Sequence, residues 1–239
     1  MLMKAFIISL VNNHEATVAT RHVIESIKKT ESKLEPIILP ATIPNTINEG
    51  LESVNLKGVK WTYPVKPEQN GLDMNTGLRL TRYETASHDN RVACMISHMR
   101  CWQKAIDLDE TIVVLEHDAL FIRTFDPHPL TLEWKGGILG LNNPIGATRR
   151  ANLFDEQVKK TMGLQGVPTV DEWDVPQGLA GNSAYMISPK GAKKLIDKVK
   201  DIGMWPNDAL MCKQLFPWLQ VVYPYYTTIQ KGLKSTTTK

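Results

Sequence analysis

Two carboxylates one residue apart follow a short apolar segment and offer the clearest chemistry in this sequence. Glu116, His117 and Asp118 come directly after residues 111–115 (TIVVL), a run typical of a buried β-strand. Acidic side chains at the carboxyl end of a parallel strand lie where α/β sheets bind their ligands. Such a pair suits a hard divalent cation, which in turn holds phosphate oxygens. The pattern indicates a metal and phosphate site, although acid-x-acid pairs also occur by chance at strand ends.

The elements that would position these residues alternate between strand and helix. We expect strands at 4–11, 35–39, 111–115, 136–141, 183–187 and 219–223, and helices at 15–29, 91–106, 188–200 and 207–215. Strand, helix and strand within the first forty residues indicate a βαβ unit and a parallel sheet. Ser188 before Pro189 is typical of a helix start. Residues 41–90 and 142–182 lack a clear period, so we expect two long loops that could bind ligands.

Length, composition and charge limit the class of protein. The 239 residues are 42% hydrophobic and 22% charged, as in an ordinary soluble globular protein, which excludes a disordered chain, a collagen-like repeat and a disulfide scaffold. The net charge of +3 is too small to indicate nucleic acid by itself. No acid follows Asp208, whereas four lysines do, and subtracting their +4 leaves −1 for residues 1–208. This basic tail could attract an anionic acceptor or be only a solvated terminus.

The cysteines and apolar runs bear on the compartment. Three cysteines without a CxxC pair predict neither a disulfide framework nor a structural zinc site. No run approaches the roughly 20 apolar residues of a membrane span, and the N-terminus lacks a small-residue cleavage site. We therefore expect a reduced, cytoplasmic protein without a transmembrane segment. Peripheral contact with the inner face of a membrane stays open.

Four segments carry a family resemblance. Residues 93–106 (ACMISHMRCWQKAI) are similar to the pattern GC-x-x-SH-x-x-x-W-x-x-A, and residues 112–121 (IVVLEHDALF) to LEDD-x-x-F. Residues 181–192 (GNSAYMISPKGA) resemble a G-T-x-AY-x-IS-x-x-GA block, and residues 205–208 (WPND) a final proline–aspartate element. In this order they resemble glycosyltransferase family 25, the lipopolysaccharide and collagen glycosyltransferases. The resemblance implies a GT-A fold: a Rossmann-like, mostly parallel sheet flanked by helices that binds a nucleotide sugar, usually with Mn²⁺.

The resemblance also implies roles for the matching residues. Asp118 would ligate Mn²⁺ or Mg²⁺, and Glu116 would reach the metal, its water shell or the ribose. His117 stands where the family usually has aspartate, which could shift metal preference towards softer ions. With this motif, the nucleotide is expected to contact the loop after the first strand through Ser9, Leu10 and Asn12.

An inverting transferase needs a base that takes the proton of the acceptor hydroxyl, and Asp208 is the candidate. The simpler alternative is that Asp208 only stabilises the start of the helix, through capping or the helix dipole. Asp171, Glu172 and Asp174 are the reserve candidates, although a solvated acidic loop is the simpler interpretation.

A second set of residues is expected to support the site. Ser97, His98 and Trp102 lie on the predicted helix 91–106, and the last two share one helix face. They would order the acid motif or simply fill the core. Four arginines could hold the diphosphate or the acceptor, or be ordinary surface charges: Arg79, Arg82, Arg149 and Arg150.

The resemblance as a whole implies a metal-dependent, inverting glycosyltransferase. It would move a sugar from a nucleoside diphosphate sugar, expected to be a UDP-sugar, to a hydroxyl of a glycan such as lipopolysaccharide or a lipid-linked glycan. We expect one domain over residues 1–239, with a nucleotide-sugar half at 1–120 and an acceptor half at 121–239. Two alternatives stay open: the same fold acting on a hydroxylated base in DNA, and a degenerate protein that only binds nucleotide sugars.

Overall fold

A computed structural model describes residues 2–134, 136–147 and 150–233. The elements, in chain order, are β1 (Met3–Ser9), α1 (His14–Lys29), β2 (Leu34–Pro40), α2 (Ile47–Ser53), β3 (Gly71–Asp73), β4 (Leu78–Leu80), α3 (His88–Leu108), β5 (Ile112–Glu116), β6 (Ala119–Phe121), α4 (Pro127–Glu133), β7 (Ile138–Gly140), α5 (Ala151–Val158), β8 (Gly163–Gly166), β9 (Ala184–Ile187), α6 (Pro189–Ile202), α7 (Asn207–Leu210), β10 (Gln220–Tyr223) and β11 (Thr227–Ile229).

The central sheet has seven strands in the order β2-β1-β5-β9-β7-β10-β8. Five of them run in one direction, while β9 and β8 run against their neighbours. The predicted α/β class with a mostly parallel sheet is therefore confirmed. The antiparallel direction of β9 was not predicted, because an apolar run such as AYMI carries no information on strand direction.

Apolar side chains on the two faces of the sheet form two cores. Phe6 and Ile8 of β1 belong to the core that contains the buried residues of α3 and α6. Ala5 and Ile7, which alternate with them, belong to the core that includes Val23 of α1. The side chains of a strand point alternately to the two faces, so helices cover both faces of the sheet, as a mostly parallel sheet requires.

The stretches predicted to be irregular contain short elements. Residues 41–90 include α2 and the antiparallel hairpin of β3 and β4, and residues 142–182 include α5 and β8. The predicted helix 207–215 ends at Leu210. Elements of three to eight residues complete too few periods to be seen in a sequence pattern.

Strand register brings the candidate residues to one edge of the sheet. β1 and β5 are parallel, with Ile8 beside Glu116, so the loop after β1 and the turn after β5 lie next to each other. β6 leaves that turn and pairs with β11. In the described ranges, none of the helices combines the length and the hydrophobicity needed to cross a membrane.

Candidate active site

The acid turn, residues 116–118, lies at the carboxyl end of β5. Glu116 is the last residue of the strand, and its N–H donates to the carbonyl of Ser183 over 2.8 Å. The carbonyl of Asp118 accepts the N–H of Gln230 over 2.7 Å. Both ends of the turn are thus held by other parts of the chain.

Glu116 is held by a histidine. Oε1 of Glu116 accepts from Nε2 of His98 over 3.0 Å. Burial alone would raise the pKa of Glu116, but this hydrogen bond and the electrostatic influence of the nearby His98 and His117 bring it below its ordinary value. Glu116 is therefore an anion at neutral pH.

One carboxylate oxygen of Asp118 has no hydrogen-bond partner in the part of the chain that the structure describes. Its Oδ1 is buried and accepts no hydrogen bond from the described residues. Burial and the charge of Glu116 raise the pKa of Asp118 to about 7, and the Ser183 hydroxyl offsets only part of this rise. An unpartnered carboxylate oxygen beside a second carboxylate suits a hard divalent cation, so the residues present fit the implied metal.

A buried chain of hydrogen bonds leads to Glu116. Nδ1 of His98 lies 2.9 Å from the hydroxyl of Tyr185, which accepts the indole N–H of Trp102 over 2.8 Å. All three side chains are fully buried. Of the predicted supporting residues, His98 contacts the acid turn directly and Trp102 acts through Tyr185. Ser97 does neither: its hydroxyl accepts the N–H of Thr42 and donates to the carbonyl of Ala93.

Cys94 lies one helical turn before His98. One ligand atom from each of Cys94, His98 and Glu116 lies within 4.8 Å of the others. Both ring nitrogens of His98 are already hydrogen-bonded, as described above. Burial, with the charges of Glu116 and Asp208, raises the pKa of the Cys94 thiol well above its ordinary value, so the thiol stays protonated.

The loop after β1 meets the acid turn but offers fewer groups than predicted. The hydroxyl of Ser9 is buried and lies 2.7 Å from that of Thr20. Leu10 is half-buried and Asn12 is exposed. Asn13 caps α1 by accepting the N–H of Ala16.

Asp208 lies in the first turn of the short helix α7. Its Oδ1 accepts the N–H of Ala209 over 3.1 Å. Burial raises the pKa of Asp208; the Arg91 guanidinium offsets part of the rise, and the charge of Glu116 adds to it. The carboxyl is thus within electrostatic reach of the acid turn.

Two adjacent residues connect Asp208 to the acid turn. In the amide orientation that satisfies its neighbours, the oxygen of Asn182 accepts the N–H of Asp208 over 3.2 Å. The next residue, Ser183, accepts the N–H of Glu116. Gly178 also touches α7: a Cβ at this position would overlap the carbonyl oxygen of Asp208. The candidate base is therefore fixed relative to the two acids.

A cavity of about 550 Å³ opens beside Asp208. Its volume lies within the roughly 300–1,000 Å³ of small-molecule sites. Glu116 and Asp118 do not line it. Its polar and aromatic walls include Tyr63, Tyr83, Arg79, Arg82, Arg150 and Asp208.

Three arginines of this cavity are paired with acids. Arg79 contacts Glu172 and Asp174, at 3.0 and 2.6 Å. Arg82 contacts Glu84 at 2.8 Å, and Arg150 contacts Asp171 at 3.2 Å. The acidic cluster proposed as a reserve base thus consists of ion-pair partners. The predicted Arg149 lies outside the described residues.

Sequence reasoning missed Gln230, which holds the acid turn from the other side. Its Nε2 donates to the carbonyls of His117 and Ala19, over 3.0 and 2.9 Å, and its Oε1 lies 3.1 Å from Nδ1 of His22. No motif surrounds Gln230, so no signal could have found it. Tyr185, also missed as a site residue, does lie in the quoted segment 181–192.

The family model of glycosyltransferase family 25, described as an LPS biosynthesis protein, matches residues 3–131. The chain belongs to this family. Membership in glycosyltransferase family 25 makes it an enzyme of glycosyl transfer. The mostly parallel sheet flanked by helices that the resemblance implies is confirmed. A search among curated proteins finds no significant match for this family 25 protein.

Several solved structures are similar to this family 25 chain. The galactosyltransferase LgtC, in complex with donor and acceptor sugar analogues, is 11% identical; the match covers 96% of this chain and 87% of LgtC, with a TM-score of 0.43. Mouse xyloside xylosyltransferase 1 in its apo form is 11% identical; the match covers 92% of this chain and 84% of the xylosyltransferase, with a TM-score of 0.42. The glycosyltransferase GlyE of Streptococcus pneumoniae TIGR4, in its apo form, is 14% identical; the match covers 96% of this chain and 46% of GlyE, with a TM-score of 0.37.

Proposed function

We propose that this glycosyltransferase is metal-dependent and inverting, and that it uses a UDP-sugar and a glycan acceptor. The acid turn would bind the donor, and the cavity beside Asp208 would bind the acceptor. The observation that carries the proposal is the position of Asp208. It lines the cavity, and it is tied through Asn182 and Ser183 to the strand end that bears Glu116.

The acid turn and Asp208 would carry out different chemical steps. Glu116 and the unpartnered Oδ1 of Asp118 would hold Mn²⁺ or Mg²⁺. A bound divalent cation supplies positive charge to the diphosphate that leaves. Asp208 would accept the proton of the acceptor hydroxyl, and the burial that raises its pKa makes it a stronger base than a solvated aspartate.

Residues 1–120 supply the donor part of this proposal, and residues 121–239 supply the base and most of the acceptor cavity. Tyr63 and Tyr83 cross this division, since both line the cavity. A lipopolysaccharide or lipid-linked glycan as acceptor, and a cytoplasmic location next to a membrane face, are parts of the same proposal. The ion pairs of Arg79, Arg82 and Arg150 with carboxylates give no reason to prefer DNA.

The test is a panel of UDP-sugars incubated with the purified protein and Mn²⁺, with release of UDP as the readout. Asp118→Asn should lower turnover by at least about 100-fold, since it removes a ligand of the cation that would neutralise the leaving diphosphate. Asp208→Asn should leave UDP-sugar binding intact and lower transfer to an acceptor by about 100- to 10,000-fold.

Asp197→Asn is the matched control, because Asp197 is half exposed on α6 and forms ion pairs with the surface lysines Lys193 and Lys200. It should behave as wild type. Unchanged turnover in Asp118→Asn would exclude the metal assignment. Loss of donor binding in Asp208→Asn would make Asp208 a donor ligand rather than the base. Binding without turnover on any acceptor would favour the degenerate alternative.

A further inference from the structure

We infer that Tyr185 is a positioning residue of the acid turn, which sets the tautomer of His98 and through it the orientation of Glu116. The inference rests on the proposed role of the acid turn as the donor site. Four side chains take part: Trp102 and His98 from α3, Tyr185 from β9, and Glu116 from the end of β5.

The direction of the hydrogen bonds follows from counting hydrogens. The indole nitrogen of Trp102 can only donate, so the Tyr185 oxygen is its acceptor at 2.8 Å. The single hydrogen of Tyr185 is then directed to Nδ1 of His98, 2.9 Å away. Nδ1 must therefore be bare, and the ring hydrogen lies on Nε2, which donates to Glu116 over 3.0 Å.

Burial favours the tautomer of His98 with hydrogen on Nε2 over the one with hydrogen on Nδ1. Trp102, His98 and Tyr185 are each 0% exposed, and leaving a buried polar group without a partner destabilises the fold. If Nδ1 carried the hydrogen, Trp102 and His98 would both donate to Tyr185, and none of the hydrogen bonds of the described residues would receive the tyrosine hydrogen. This relay, the hydrogen-bonded chain from Trp102 through Tyr185 and His98, therefore presents a donor to Glu116 and not an acceptor.

Strand pairing keeps the relay in place. Tyr185 of β9 lies beside Val114 of β5, two residues before Glu116. The His98 and Tyr185 rings are stacked with centroids 5.8 Å apart. One oxygen of Glu116 is thus fixed by a rigid donor, which leaves Oε2 outside the relay.

A rival interpretation uses the same atoms. A soft cation held by Cys94, His98 and Glu116, whose ligand atoms lie within 4.8 Å of one another, needs a bare Nε2. The relay needs a bare Nδ1. Because a metal ion can displace a ring hydrogen on binding, adding a soft cation separates the two, while the tautomer of His98 in the metal-free protein tests the relay itself.

The experiment measures that tautomer by long-range ¹H–¹⁵N NMR of the ¹⁵N-histidine-labelled protein, for wild type and Tyr185→Phe, without metal or nucleotide. Wild type should show the Nε2–H form, and Tyr185→Phe should shift the Nδ1 signal or mix the tautomers. Titration with UDP and Mn²⁺ should then show about a tenfold weaker affinity for Tyr185→Phe, a loss equivalent to about one hydrogen bond.

Tyr226→Phe is the matched control, since Tyr226 is a buried tyrosine of the other core. It should change neither the tautomer nor the affinity. Trp102→Phe is the second variant if Tyr185→Phe does not fold: it frees the Tyr185 oxygen to accept from Nδ1–H and should mix the tautomers.

Three results would overturn the inference. The first is an Nδ1–H tautomer in wild type, and the second is an unchanged His98 signal in both Tyr185→Phe and Trp102→Phe. The third is a thiolate-to-cobalt absorption band on adding Co²⁺ that disappears in Cys94→Ala. A wild-type protein that shows the Nε2–H tautomer but binds no nucleotide would instead refute the proposed function and leave the relay standing.

Discussion

Burial raises the pKa of all three carboxyl groups of the site, but only Glu116 has a histidine donor that reverses the effect. The pKa of Glu116 lies below its ordinary value because His98 donates to it, although burial acts against this. The pKa values of Asp118 and Asp208 are raised, in both cases mainly by burial. Neighbouring acids whose environments separate their pKa values are typical of sites in which each carboxyl has its own task.

Asp208 should cost the protein stability at neutral and alkaline pH. Its pKa is higher in the folded than in the unfolded chain, so its favourable contribution is complete at acid pH and is lost as pH rises through the folded pKa. Asp208→Asn should therefore raise the thermal midpoint at pH 8, and the gain should shrink towards pH 4. Calorimetry across this range measures it, with Asp197→Asn as the control. A gain independent of pH would contradict the assignment of a raised pKa.

At the scale of elements, the sequence pattern predicts the long buried parts and misses the short ones. β1 and β5 are short apolar runs, and α1 and α6 carry apolar residues at helical spacing. The predicted cap of α6 is confirmed, since the Ser188 hydroxyl accepts the N–H of Gly191. α2 and the hairpin of β3 and β4 complete too few periods to be seen. The acid turn was found because it interrupts an apolar strand. Tyr185 and Gln230 act through contacts distant in sequence, which no local pattern records.

Close packing of Gly178 against α7 should make this position intolerant of a side chain. A Cβ would overlap the Asp208 carbonyl and move the helix that carries the candidate base. Gly178→Ala should cost about 1–3 kcal/mol, which corresponds to roughly 2–4 °C in thermal midpoint per kcal/mol. It should also lower kcat more than it raises the KM for the donor.

Gly166→Ala is the matched control for Gly178→Ala, because a Cβ there meets no atom within 4 Å. Thermal unfolding and steady-state kinetics of both variants measure the difference. A normal kcat in Gly178→Ala would show that the position of α7 does not limit the reaction.

At the scale of the whole molecule, the positive charge after Asp208 is partly committed to the fold. Nζ of Lys213 donates to the Val167 carbonyl and the Thr169 hydroxyl, over 3.0 and 2.6 Å. Lys234 and Lys239 lie outside the described residues. The +4 read from the sequence thus includes one lysine whose ammonium group is already hydrogen-bonded within the fold.

Gln230 is the point at which this last part of the chain meets the site. Gln230→Ala removes hydrogen bonds to His117, Ala19 and His22, each worth about 1 kcal/mol. We expect a lower thermal midpoint and a KM for the donor raised about tenfold, with kcat less affected, because the backbone of the acid turn loses a support. Gln157→Ala, an exposed position on α5, is the control. An unchanged KM would show that the turn keeps its shape unaided.

The pairing of β6 with β11 also orders events during synthesis of the chain. Residues 116–121 leave the ribosome more than a hundred residues before Thr227–Ile229, which pair with Ala119–Phe121, and before Gln230, which bonds to His117 and Asp118. A nascent chain can therefore form β1 and β5 early, yet its acid turn lacks these contacts until residue 230 has been synthesised. If the acid turn binds the donor, as proposed, a chain that stops short of residue 230 should bind nucleotide sugar more weakly.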